Sequence, residues 1–548
     1  MSQAAISKHP KGLYVLFFTE MWERFGYYLM VGIFLLYLKD TDGKGMDTRT
    51  AIDIVGSYIA LVYLSPFIGG MIADRYIGYL KAIFIGGALM AVGYFGLSIP
   101  GSDTIMYLSL LTIIIGNGFF KPNISTLLGI MYSKEELKAK KDSAYNIFYM
   151  GINIGAFFCN FVAAYLRNTY GWGYAFAAAG VGMVFGLIIL GTWVKHVRDS
   201  DVKKPVSPDD LPFSKIALYV FVPAIVFGII GWMISGNIFG TDSSDAFMFA
   251  CIPIITFYIS LWVRAKKEEK SSIAAILVVY AIALVFWVIY NQNSTAQTIW
   301  ADTYTDRSIT PAIEPLAKGI GMLQTIDANE NDTIPVLNEN FVAQLDANGD
   351  VVTTVGVNTY FQNLPKEKWP PEGETMQVIS PELFQSINPF FIVLFTPLII
   401  GLLAWLAKRK REPSTPWKIV LGVLFSGLSM LVMAFAAMST NIAVDKTAAA
   451  WLISSYAVFT IGELFLSPIG LSFISKIAPP RLTALMMGGW FLITSIGGKL
   501  AGTLASSWDN FTNKTAFFMI MFVAASAVTL LVLLIIKWLN RIVKEHNA

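Results

Sequence analysis

Glu20, Glu23, Arg24, Tyr27 and Tyr28 fall together in EMWERFGYY, inside an apolar run that reads as a helix over about 13–39. Offsets of three and four put Glu20, Glu23, Arg24 and Tyr27 on one side of it, where two carboxylates and a guanidinium neutralise one another. Lys121 lies in GNGFFKPN and Glu463 in IGELFLSPIG, each in a further apolar run. A charged side chain in hydrocarbon costs roughly 2.5–3.5 kcal/mol on insertion scales, so those retained are functional candidates by default. At 1.5 Å per residue, Lys121 and Glu463 lie roughly 22–26 Å from the outer ends of their helices, hence at similar depth. The two then pair across a cavity, or form a structural salt bridge that locks the bundle. Pro122, directly after Lys121, and Pro468, five residues after Glu463, favour the cavity, because helices bend at such places. Lys499 stands near the outer end of its run and is expected to snorkel to the interface. Trp287 in FWVIYNQNS and Trp490 in GGWFLITS either wall a pocket or face lipid.

These groups are set in a chain of 548 residues that is 55% hydrophobic and only 14% charged, with a mean hydropathy of +0.59. Such a balance excludes a soluble enzyme and describes a polytopic membrane protein. Apolar runs of sufficient length fall near 13–39, 51–75, 80–98, 104–131, 141–166, 172–197, 215–237 and 245–264. Six more follow near 273–300, 387–407, 416–437, 448–475, 480–505 and 515–538, about fourteen in all. The first run is too long and too charged for a cleavable signal segment. A net charge of +3 provides no basic footprint for nucleic acid. Cys159 and Cys251 sit in apolar runs and read as small core residues.

Lys and Arg cluster in alternate loops: Lys134, Lys138, Lys140 and Lys141, then Lys195, Arg198, Lys203 and Lys204, then Lys266 and Lys267, then 408–411. By the positive-inside rule these loops are cytoplasmic, and an even number of crossings returns both termini to that side. The chain is therefore expected in the inner (plasma) membrane as a multi-pass protein. Six spans precede the polar linker 198–214, six follow Lys270, and two form a hairpin between them. Three regions result: an N-terminal six-helix bundle at 1–197, a cytoplasmic linker with two extra transmembrane helices at 198–271, and a C-terminal six-helix bundle at 272–548. The fold class is an all-α membrane protein with two six-helix bundles and two extra helices, the architecture of the major facilitator transporters. GGMIADRYIGYLK, with Asp74 and Arg75 in a tight turn, resembles the helix 2 to 3 signature of that superfamily. The polar segment 301–386 interrupts the C-terminal bundle, and its alternating LDANGDVVTT reads as a hairpin, so a small β-rich extracytoplasmic insert is expected. Asp327, Asn329 and Asn331 alternate there like the start of a calcium loop. Asp332 stands where glycine is needed and Asn338 at the twelfth position, which favours a plain polar loop.

The run Glu20, Glu23, Arg24, Phe25, Tyr27, Tyr28 resembles the ExxERFxYY motif of the proton-dependent oligopeptide transporter family. FYMGINIGAFF at 148–158 resembles that family's helix 5 signature, and the likeness continues through KPN at 121–123, SINPFF at 386–391 and GELFLSP at 462–468. The resemblance covers both halves and the two extra helices, leaving out the 301–386 insert. It implies symport of dipeptides and tripeptides with protons by alternating access. Carried over, Glu20, Glu23 and Arg24 are the proton-coupling trio, with Lys121 modulating them and pairing with Glu463. A zwitterionic peptide needs a cation for its carboxylate, supplied by Lys121 and Arg24, and an anion for its ammonium group, supplied by Glu463. Asn153 and Asn388 resemble residues that hydrogen-bond the peptide backbone or amine. Tyr27, Tyr28, Tyr63, Trp287 and Trp490, with Asn291 and Thr494, complete the substrate-binding set that the likeness implies. Two positions depart from the pattern: Val31 and Asn291 stand where many members carry an arginine and an acid that form an outer gate and a protonation site. Coupling is then expected to rest on the helix 1 carboxylates and the Lys121–Glu463 pair.

Two other readings stay open at this level. The same fold serves transporters of nitrate, amino acids or other small solutes, and the insert has the makings of a receptor or binding module. An enzyme is not expected, since His9, His196 and His546 fall outside the spans and no nucleophile stands beside a base. No cofactor, metal or nucleic acid is called for; the partners are small peptides, protons and the bilayer, and the chain is expected to act as a monomer.

Overall fold

Long apolar runs become helices because, in lipid, each backbone amide must be satisfied within its own segment. The computed structural model describes residues 8–547 except 139, 203–214, 216, 235, 313, 330–331 and 480–481. Lys203, Lys204, Asn331 and most of the 198–214 linker therefore lie outside the described residues. The long helices are α1 (Lys11–Lys39), α2 (Thr48–Ile72), α3 (Tyr79–Leu97), α4 (Asp103–Met131), α5 (Lys141–Tyr170) and α6 (Trp172–Thr192). After them come the hairpin helices α7 (Val222–Met233) and α8 (Asp242–Val263), then α9 (Lys270–Tyr290) and α10 (Ile387–Lys408). The chain closes with α11 (Thr415–Ser439), α12 (Ala449–Ile477), α13 (Thr483–Ser506) and α14 (Lys514–Asn547). Among the described residues, eleven helices are long and apolar enough to cross a membrane.

Three helix ends differ from the spacing-based expectation for physical reasons. The run expected over 172–197 stops at Thr192 and breaks into short turns at Val194–His196 and Arg198–Ser200. Those turns carry Asp201 onto the start of α3, where its Oδ1 accepts from the amides of Tyr79 (2.9 Å) and Leu80 (3.3 Å). The run expected from 215 opens as a π-helical turn, Ala217–Phe221, because Pro223 has no amide to close the usual bond. The run expected over 273–300 leaves α-geometry at Asn291, whose side-chain amide donates back to the Trp287 carbonyl at 2.7 Å.

The chain packs as two compact units. One comprises residues up to Ile33 and Leu61–Ser207, thus most of α1, the second half of α2, and α3–α6. In it α3 lies close against α4: a Cβ on Gly86 would lie 2.5 Å from the Gly116 carbonyl oxygen, so the backbones meet directly. Cys159 is buried here, as expected of a small core residue. The second unit comprises Phe34–Ala60 and Pro208–Ala548, and buries Cys251.

Within the second unit, the segment between α9 and α10 forms short strands. β1 (Thr305–Asp306) pairs in parallel with β6 (Thr447–Ala448), which lies just before α12, while the others pair antiparallel within the segment: β2 (Leu323–Asp327) with β5 (Thr375–Ile379), and β3 (Asp332–Pro335) with β4 (Thr353–Gly356). At Asn348-Gly349 the chain reverses with Gly349 at φ +89°, and the Asp346 amide donates to the Asp350 carbonyl at 2.8 Å. Ile326, Tyr360, Phe361, Leu364 and Val378 make a separate small core.

Lys446 ties that core to the helices. Its ammonium lies 4.3 Å from the Tyr360 ring centroid and donates to the Thr303 carbonyl and Asn363 Oδ1, both at 2.6 Å. Burial, helped by the nearby Arg307 charge, pushes the Lys446 ammonium down to about 7. An unfolded lysine titrates near 10.4, so between these values the unfolded chain binds a proton that the folded chain lacks. Stability contributed here therefore rises with pH, by up to about 1.4 kcal/mol per unit, from near 7 towards 10.4. Thermal unfolding at pH 6.5 and 8.5 should show this rise in the parent and a flatter response in Lys446→Met; parallel responses would assign it to another group.

Candidate functional site

In the first unit the charges of α1 are gathered around one guanidinium. Arg24 donates through Nε and a terminal nitrogen to both oxygens of Glu23, and its Nε stands 3.6 Å from Glu20 Oε1. All three side chains are at most 2% exposed. A bidentate pair satisfies Glu23 on both oxygens, which is how a buried ion pair survives. Glu20 is held less completely, since its Oε2 is buried without a hydrogen-bond partner among the described residues. The guanidinium lies over Tyr27 at 4.7 Å and Tyr28 at 6.0 Å, so the aromatic pair continues the polar face.

Helix α4 supplies the remaining polar groups. Lys121 lies in the field of Glu20, Glu23 and Arg24, with its ammonium 5.9 Å from the Tyr63 ring centroid. Asn117, one turn before it, accepts from Arg24 at 3.4 Å and donates to the Val62 carbonyl at 2.8 Å. Asn117 was not singled out in the sequence, although its offset of four from Lys121 places both on one face. Asn153 is buried and donates to the Tyr149 carbonyl at 2.8 Å, so its amide hydrogen is used within α5.

In the second unit Glu463 is buried on α12, and its Oε2 accepts from Asn388 Nδ2 at 2.8 Å. The same amide reaches Thr460 Oγ1 at 3.0 Å, and Thr460 donates to the Tyr456 carbonyl. Thr460 is a residue the sequence reading missed, though three positions before Glu463 it shares that face. Asn388→Leu removes the only donor to Glu463 among the described residues, at a cost of about 1–3 kcal/mol. Melting of the purified variant should fall by several degrees, and an unchanged melting temperature would show that the amide contributes nothing.

Trp287 and Trp490 are both buried, with ring centroids 6.2 Å apart at 76°, and Tyr290 lies 5.2 Å from Trp287. They belong to packed protein and do not face lipid. Thr494 donates to the Trp490 carbonyl at 3.0 Å, as Asn291 does to Trp287, so both use their donors within their own chain segment. Val31 is buried in α1. Lys499 corrects the snorkelling expectation: its side chain is 1% exposed and its ammonium pairs with Asp53 Oδ1 at 2.7 Å. A carboxylate partner inside the protein removes the reason to reach for the interface.

The candidate charges thus fall in two clusters: carboxylates around a guanidinium with Lys121 in their field in one unit, and a hydrogen-bonded carboxylate in the other. The POT family model matches residues 80–326 and 373–536. The chain belongs to the POT family. The matched residues take in Lys121 and Glu463 and begin after the EMWERFGYY run. An uncharacterized transporter of Bacillus subtilis is 31% identical over 516 residues, covering 93% of this chain and 90% of its own length. A di-/tripeptide transporter of Lactococcus lactis is 29% identical over 500 residues, covering 89% of this chain and 87% of its own. A crystal structure of a peptide transporter POT in complex with sulfate is 29% identical and superposes with a TM-score of 0.75, covering 99% of this chain and 97% of that one. POT membership and these likenesses run through both units, the α7–α8 hairpin of the second included.

Proposed function

We propose that this POT-family chain imports di- and tripeptides together with protons, by alternating access. The observation that carries the reading is the complementary chemistry of the two clusters. Arg24 and Lys121 supply cations for a peptide carboxylate, and Glu463, held by Asn388, supplies the anion for its ammonium. The name of the Lactococcus lactis relative, a di-/tripeptide transporter, supports the substrate class. Tyr27, Tyr28, Tyr63, Trp287 and Trp490 line the side-chain space in this reading, where aromatic surfaces tolerate varied residues better than fixed hydrogen bonds do. Asn153, Asn291 and Thr494 flank it, with donors that would have to turn from their own helices to reach a peptide.

In this reading Glu20 and Glu23 couple the proton, with Lys121 and Glu463 pairing when no peptide is bound. The eleven apolar helices, joined by α1, α7 and α13, make fourteen crossings with both termini cytoplasmic, and the basic loops support that placement. The N-terminal bundle then ends near 197, the hairpin near 271, and the stranded segment 301–386 is extracytoplasmic. The protein works as a monomer in an inner (plasma) membrane. Labelled dialanine uptake into liposomes tests the whole reading, measured with and without an inward proton gradient and in competition with trialanine or free alanine. Gradient-driven uptake blocked by trialanine and not by alanine is expected. Uptake indifferent to the gradient, or none, would send the search to other small solutes.

A further inference from the structure

Outside the two clusters, one buried charge pair joins segments far apart in the chain. Lys499 on α13 pairs with Asp53 on α2, and its ammonium also donates to Ser57 Oγ and Ser243 Oγ, both at 2.8 Å. Every position on that ammonium is therefore taken. Asp53 is held from the other side by the start of α8, accepting from Thr241 at 2.8 Å, Ser243 at 2.5 Å and Ser244 at 3.3 Å. Ser244 in turn meets Thr503 of α13 at 3.1 Å. The hairpin tip that presents these hydroxyls is itself fixed, because buried Asp245 accepts from the amides of Ile238 and Phe239 at 2.7 and 2.6 Å.

The pair sits in a seam of close contact. A Cβ on Gly56 would lie 2.8 Å from the Gly502 Cα, and one on Gly498 would lie 2.8 Å from the Ile59 Cγ2. One turn further on, Ser495 donates to the Ala60 carbonyl at 2.6 Å. Helix α8 also grips the other end of α13, where the Tyr258 hydroxyl donates to the Leu485 carbonyl at 2.9 Å. The hairpin is therefore bonded along α13 and reaches across it to α2.

The geometry points to a latch: Asp53 and Lys499, ringed by hydroxyls from the α7–α8 hairpin, hold the first half of α2 against α13 and open once in each transport cycle. This rests on the alternating-access reading, in which the outer halves of α2 and α13 must part to admit substrate. Glycine contacts bring the backbones together and the ion pair sets their register. The two additional helices act as a brace that supplies three of the hydroxyls around the pair, and the residues concerned are positioning residues that touch no substrate.

The test places a single cysteine at Ile59, in a Cys159→Ala, Cys251→Ala background, and follows its labelling by a membrane-impermeant maleimide in liposomes. The parent is expected to label slowly, and faster when dialanine and a proton gradient drive turnover. In the doubly neutral Asp53→Asn, Lys499→Gln variant, which strands no charge, basal labelling should rise at least about fivefold and lose its response to dialanine. Thr241→Val with Ser243→Ala keeps the pair and should raise basal labelling to an intermediate extent. Unchanged labelling in the double variant, shown folded by a monodisperse elution profile, overturns the latch. Unchanged labelling in the hydroxyl variant overturns the part given to the hairpin. Should the double variant not fold, the hydroxyl variant still decides. A parent that takes up no dialanine counts against the transport reading instead, since basal labelling needs no substrate.

Discussion

Glu20→Gln abolishes gradient-driven accumulation of dialanine while counterflow continues. The expectation follows from how unequally the two carboxylates of α1 are held. Glu23 has both oxygens on Arg24, whereas Glu20 has one oxygen 3.6 Å from the guanidinium and one with no partner among the described residues. Counting Lys121, the ionised cluster sums to zero, so a proton on Glu20 leaves one positive charge to receive a peptide carboxylate. Glutamine mimics that protonated state permanently: peptide still binds and exchanges, yet no proton accompanies it. An inward gradient of one pH unit is worth about tenfold in accumulation for each proton carried, and this factor is what the variant loses. Glu23→Gln behaves differently, because it takes the bidentate partner from a buried arginine at a cost of about 3–5 kcal/mol. Folded yield, uptake and counterflow should all fall. Liposome uptake with and without the gradient, set beside counterflow at equal pH, separates the cases. Gradient-dependent accumulation that persists in Glu20→Gln would move the proton site elsewhere.

How far the sequence could be read depended on how rare each signal is. Three charges in one apolar run are costly enough that EMWERFGYY announced itself, and the structure does gather Glu20, Glu23, Arg24 and Tyr27 around one guanidinium. Asn117 and Thr460 carried a weaker signal, since a polar residue three or four positions from a buried charge is visible only once the helix face is taken seriously. The Asp53–Lys499 pair was not legible, because its members are 446 positions apart and no periodicity links them. Lysine near a helix end suggested snorkelling, and only tertiary packing could reveal the carboxylate waiting for it. Helix limits went astray at Pro223 and Asn291, where a missing amide and a competing side-chain amide change the local hydrogen bonding without changing hydropathy.

Glu463→Gln raises the KM for dialanine steeply and removes the preference for a free amino terminus. An ammonium on a carboxylate makes a charge-assisted hydrogen bond worth about 1.5–3 kcal/mol, which corresponds to roughly 10–150-fold in affinity. Glutamine keeps the shape and can still accept from Asn388, so the fold survives and only the charge is lost. The decisive comparison is competition by N-acetyl-dialanine. Against the parent it should be a poor competitor, since acetylation leaves Glu463 buried with no cation to meet. Against Glu463→Gln, free and acetylated dipeptides should compete almost equally, because a neutral amide gains little from the ammonium charge. A KM effect without this loss of discrimination would mean that Glu463 acts through the packing of α12, and the ammonium would have to be anchored elsewhere.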